Sequence, residues 1–146
     1  GKISSAVLPE PFATQAMMIG KAIASPVDLG KLWTEATGLP SYPMSIFVVS
    51  GKLAGSRPDV VQSLGSAYRA SIAKTLADPA GTARLAESID LGMKAAIAQA
   101  AIPKSNYVYR PAVEARASIE ATLSLFLGED PQSVGGKLPG ADFYGR

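Results

Sequence analysis

Residues 44–50 read MSIFVVS, and the reading of this stretch decides the fold. Ile46, Phe47, Val48 and Val49 form an unbroken apolar centre of β-branched and aromatic side chains. That composition fits a pleated, packed strand. A strand with one wet face alternates apolar and polar residues, so an unbroken run predicts burial on both faces, as in a parallel sheet. Such a strand needs neighbours on both edges, and a typical sheet has about five strands. Residues 3–8 are β-compatible up to Pro9, but 22–24 and 107–109 are only scraps. The expected fold class is α/β, helix-rich and short of strands, with the shortfall supplied by a first half of the same protein beyond this chain; the alternative is a self-sufficient, mostly helical domain.

Outward from that run, the pattern turns helical. From Pro11, the residues Phe12, Gln15, Ala16, Ile19 and Ala22 recur at helical steps, and proline suits a first turn. Ser25-Pro26-Val27-Asp28 reads as an N-cap followed by proline and an acid, opening a helix that carries Leu29, Leu32 and Trp33 and stops at Gly38. Residues 39–43, LPSYP, form a stiff connection into the strand. Ser56-Arg57-Pro58-Asp59 opens the longest expected helix, where Val60, Val61, Leu64, Tyr68, Ile72 and Leu76 keep helical spacing. Asp78-Pro79 ends it and caps the next, Gly92 breaks the run, and a further helix covers 95–101. Residues 111–127 predict the last long helix, with Val113, Ile119, Leu123 and Phe126 on one side and Gly128 as its stop. The tail from Pro131 is rich in turn residues and is expected to lie over a surface.

Composition limits the chemistry. A chain of 146 residues suits one domain with a hydrophobic core. With 47% hydrophobic and 18% charged residues it falls outside the disordered class. Its net charge of +2 is spread along the chain, without a basic stripe for nucleic acid. Apolar runs such as 46–49 are far too short to span a bilayer, and GKISS does not read as a signal peptide. Cysteine and histidine are both absent, which removes thiolate nucleophiles, Cys/His zinc sites and Ser-His-Asp triads. No constellation of lysine or paired carboxylates replaces them, so no enzyme and no cofactor is expected.

Residues 6–15, AVLPEPFATQ, place one carboxylate, Glu10, between two prolines at a strand-to-helix turn. Together with SIFVVSGKLAGSRPDVVQSLGSAYRASI (45–72), AIPKSNYVY (101–109) and SVGGKLPGADFYG (133–145), this stretch resembles the C-terminal half of periplasmic ABC-transporter solute-binding proteins. The resemblance is to the branch that includes binders of nitrate, taurine, alkanesulfonates and thiamin-pyrimidine precursors, and it runs over essentially the whole chain. It implies a two-lobed, type II periplasmic-binding-protein-like fold. Residues 1–40 would belong to the second lobe, 41–50 to a hinge crossing strand, and 51–146 to the first lobe with the tail returning toward the hinge. It implies a non-enzymatic protein, periplasmic or lipid-anchored outside the cytoplasm. Such a protein captures a small polar solute, anionic or zwitterionic, and delivers it to a membrane permease by lobe closure.

Within that frame, ligands bind beyond the carboxyl ends of strands, beside helix amino ends that suit anions. Glu10 is a candidate for a ligand amine or a hinge group, or else an acid favouring the helix dipole. Phe12 is an apolar wall or a core residue, and Thr14 a ligand contact or a solvent-facing helix residue. Tyr42 and Ser45 flank the crossing as hinge or cleft candidates. Tyr107 and Tyr109 alternate, so one faces inward and the other is free for the cleft. Trp33 reads as core, and Gly135-Gly136 as a tight turn, since the pattern of a phosphate loop is absent. Two other classes compete: an enzyme on the same fold, similar to a pyrimidine-precursor synthase that relies on histidine, and a helical sensor or interaction module.

Overall fold

The computed structural model describes residues 4–20 and 22–145. Among them the chain forms seven α-helices: α1 Phe12–Ile19, α2 Leu29–Thr37, α3 Gly51–Ser56, α4 Pro58–Ala77, α5 Pro79–Ser88, α6 Ala95–Ala101 and α7 Ala112–Glu129. Short 3-10 turns follow at Ile102–Lys104, Pro131–Val134 and Ala141–Tyr144. No strand occurs among the described residues, so the expected α/β class is corrected to all-helical.

The correction has a physical cause. A helix closes its hydrogen bonds within its own segment, whereas a strand's N–H and C=O groups need a second strand beside them. Residues 5–9, 44–50 and 107–109 form no ladder with one another or with any other described segment. MSIFVVS, expected to be a buried strand, is an exposed irregular stretch, with Met44 at 69% and Val48 at 59% exposure. Part of it rests on a helix instead: Pro43, Met44 and Ile46 line a shallow hollow with Ile119, Thr122, Leu123 and Phe126 of α7. Its last residue, Ser50, caps α3, where the hydroxyl accepts the Leu53 N–H at 3.2 Å.

Helix boundaries follow local signals. α2 is capped three residues beyond Ser25, by Asp28, whose carboxylate accepts the Lys31 N–H at 3.1 Å. It ends on Gly38 in the left-handed region at φ 71°, where glycine meets no steric penalty. Asp78 ends α4 and caps α5 by accepting the Gly81 N–H at 2.8 Å. α4, at 20 residues the longest helix, begins on Pro58 beside an exposed Arg57–Asp59 pair with contacts of 3.0 and 2.9 Å. The guanidinium holds the Asp59 carboxyl below its ordinary range. α7 runs past Gly128 to Glu129.

The chain divides into two compact units, Gly1–Pro26 with Ser50–Tyr109, and Val27–Val49 with Arg110–Arg146. In the first unit α5 packs most extensively on α6, with α1 also on α6 and α4 on both α3 and α5. Its buried apolar residues are Ala83, Ala98, Ala101 and Ile102, so most of its core is methyl groups, each worth about 0.8 kcal/mol. In the second unit the two 3-10 turns of the tail pack on α7, and the buried apolar residues are Ile119 and Tyr144. The core is thin, and many large apolar side chains, including Phe12, Leu64, Leu76, Val113 and Phe126, remain exposed.

Candidate functional site

In the first unit the turn that opens α1 is held by its own carboxylate. Glu10 Oε2 accepts the Thr14 N–H at 3.2 Å, while the Ala13 and Gln15 N–H groups donate to the carbonyls of Pro9 and Pro11 at 3.1 and 2.9 Å. Glu10 therefore occupies the helix amino end that an anion would otherwise use. Thr14, open to solvent in one sequence reading, is buried at 1% exposure. Its hydroxyl accepts from Lys104 Nζ at 3.4 Å, across 90 residues of sequence, because α1 packs on α6 and the turn after α6 carries Lys104. Phe12 is exposed rather than core.

Tyr107 and Tyr109 part as their alternation suggests, though not as a strand. Tyr107 is exposed, while half-buried Tyr109 lies over α4, with its ring 6.3 Å from Tyr68 and the Arg69 guanidinium 5.8 Å from its centre. Gly65 lies under the ring, where a Cβ would make only an ordinary contact, 3.7 Å, with the Tyr109 hydroxyl.

Tyr42 and Ser45 belong to the second unit. Ser45 is exposed. Tyr42 is half-buried, 5.7 Å from Trp33 with the rings inclined at 53°. Beside it, Ser41 accepts from Arg110 Nη1 at 3.3 Å. Trp33 itself is half-buried, and its indole N–H is shut off from solvent without an acceptor, which costs about 1–3 kcal/mol. Arg110, Ser41 and Lys104 escaped the sequence reading. A signal for Arg110 was present: it is the lone charge in the stretch from Ser105 to Val113.

A second cluster of that unit ties the tail to α7. Buried Tyr144 receives the Arg116 guanidinium 5.0 Å from its ring, and Arg116 Nε donates to Glu120 at 2.9 Å. The Tyr144 hydroxyl lies near the Glu120 carboxylate but makes no hydrogen bond of ordinary geometry among the described residues. Burial, together with the nearby Glu120 charge, raises its pKa above the ordinary tyrosine value.

These arrangements can bind and orient polar groups. Nothing in them pairs a nucleophile with a base, and no group of three or more metal-ligating side chains occurs among the described residues. No described helix is long and apolar enough to cross a membrane. No family model, curated protein or solved structure matches the chain.

Proposed function

We propose that this chain is part of the solute-binding component of an ABC importer, capturing a small anionic or zwitterionic solute and handing it to a membrane permease outside the cytoplasm. The observation that carries the reading is the ordered series of segments from AVLPEPFATQ to SVGGKLPGADFYG, which resembles that branch of binding proteins from one end of the chain to the other. Two features of the structure support the anionic preference. Lys104 and Arg110 both hold neutral hydroxyls rather than carboxylates, leaving their charge available to a ligand. The exposed apolar side chains support a surface covered by further chain of the same protein or by the permease, because large apolar patches normally mark an interface.

The test is a panel of sulfonates, nitrate, pyrimidines and amino acids, scored by melting temperature and by calorimetry. A ligand present at a hundredfold excess over its Kd stabilises the protein by about 2.7 kcal/mol. A panel in which no member binds overturns the reading. A second reading, a helical interaction module, is favoured by the absence of strands among the described residues and by the exposed apolar positions on α4 and α7. A silent panel combined with tight binding to a protein partner would favour it.

A further inference from the structure

We propose that Arg110 and Ser41, with the Trp33–Tyr42 aromatic pair beside them, form an oxyanion subsite in the second unit, taking the sulfonate or carboxylate end of the solute. The inference rests on the solute-binding reading and names the end of the ligand that this unit holds. Four observations converge on it. First, Arg110 is half-buried, and its guanidinium's partner among the described residues is the neutral Ser41 hydroxyl at 3.3 Å. Arg57 and Arg116, in contrast, each hold a carboxylate at 2.9 Å. A guanidinium is a planar fork of five donors, matched to two oxygens of one anion, and a single hydroxyl leaves most of that fork unused.

Second, most acids of the unit are committed elsewhere. Asp28 caps α2, Glu35 faces Lys31, Glu120 holds Arg116, and Asp130 accepts the Gln132 N–H. Glu114, in the first turn of α7, is the nearest acid to Arg110 in the chain. No ion pair joins it to Arg110 among the described residues. Third, the indole N–H of Trp33 is buried without an acceptor, as expected of a donor whose partner arrives with a ligand. Fourth, the connection between these groups is short. Ser41 bonds Arg110, Tyr42 is its chain neighbour, and the Tyr42 ring lies 5.7 Å from that of Trp33. The rings offer apolar surface to the body of a ligand whose charged end sits on the guanidinium.

Trp33 is the sole tryptophan of the chain, so its fluorescence reads this place alone. The experiment titrates methanesulfonate and acetate into the protein, with sodium chloride at matched ionic strength as reference. A saturable change in emission is expected for at least one of the two anions. In Arg110→Gln the apparent affinity should fall by about tenfold or more, since a charge-assisted hydrogen bond is replaced by a neutral one. Circular dichroism establishes that this variant is folded. Arg84→Gln, which removes an exposed cation from α5, should leave the titration unchanged.

An emission change equal for chloride and the organic anions, or unaltered in Arg110→Gln, overturns the subsite. If a panel solute binds Arg110→Gln as tightly as the unaltered protein, the subsite fails while the solute-binding reading stands. If methanesulfonate binds through Arg110 but no panel solute binds, the subsite stands and the transport reading fails.

Discussion

Residues 79–104 and residues 39–50 are both rich in apolar side chains, yet the structure treats them differently. In the first stretch α5, α6 and the following turn bury Ala83, Ala98, Ala101 and Ile102. In the second stretch no residue is buried, and Met44, Ile46, Phe47 and Val48 all stand exposed. Hydrophobicity does not separate the two; the second stretch is the more apolar side by side. The difference lies in where the hydrogen bonds go. Each helix satisfies its backbone within a few residues and is then free to pack its small side chains on a neighbour. An extended apolar run is satisfied only by a partner strand, which no described segment provides. The exposed run thus carries the stronger sequence signal and the weaker structure.

The largest expected effect tests the packed side of that comparison. Ile102→Ala deletes the one large aliphatic side chain from a core otherwise made of alanines, and should cost about 2–5 kcal/mol in urea unfolding. A loss below about 0.5 kcal/mol, the range of ordinary surface substitutions, would mean that this stretch is no better anchored than MSIFVVS.

The same contrast explains what was legible in the sequence. Stops and caps that act within a turn were readable: Gly38, Asp78-Pro79 and Gly92 all lie where the pattern put them. α3 was missed because GKLAGS carries two glycines and follows an apolar run that masked Ser50 as a cap. Alternation separated Tyr107 from Tyr109 without saying which of them turns inward. The pairs that matter most for the candidate sites were not readable, because Lys104 and Thr14 are 90 residues apart and Arg110 and Ser41 are 69 apart. Only the packing of α1 on α6 brings the first pair together. The strand reading failed for the reciprocal reason: residues 44–50 fix what a partner must look like, not that one exists.

A smaller effect should come from the cap that starts the packed stretch. Asp78→Ala frees the Gly81 N–H and should cost about 1 kcal/mol, with Asp78→Asn recovering most of it. Gly81→Ala should destabilise from the other side, because its Cβ would collide with the Asp78 carboxylate. Thermal melts followed by circular dichroism check all three. If Asp78→Ala is neutral, the helix is held by packing alone and its start was legible by coincidence.

The tail offers a pH test of burial in the second unit. Tyr144 favours its neutral form when folded, so the unfolded chain gives up this proton first as pH rises. Stability is complete below the unfolded tyrosine value of about 10 and falls as pH climbs from there through the raised folded value. Tyr144→Phe should flatten that decline while changing neutral-pH stability little, since the hydroxyl it removes makes no hydrogen bond of ordinary geometry among the described residues. Unfolding midpoints measured from pH 8 to 11, with no difference between the two proteins, would show the ring to be exposed in solution.

The smallest expected effect falls on the exposed run, and it sharpens the comparison most. Val48 is 59% exposed, so its side chain has little contact to lose, and Val48→Ser in this chain should alter stability by no more than about 0.5 kcal/mol. The proposed solute-binding reading gives the same substitution a second consequence. If the apolar face of residues 44–49 is covered by further chain or by a partner, burying a valine there contributes about 1.5–3 kcal/mol to that association. Val48→Ser should then weaken the association by roughly tenfold to a hundredfold while leaving the isolated chain's melt in place. An environment-sensitive apolar dye gives an independent reading: it should bind the isolated chain and be displaced when the covering partner is added. A large loss of stability in the isolated chain would mean that MSIFVVS is packed in solution, and the contrast with residues 79–104 would fall. Unchanged stability together with unchanged association would leave the run an exposed connector, because neither its own fold nor a partner would then depend on its side chains.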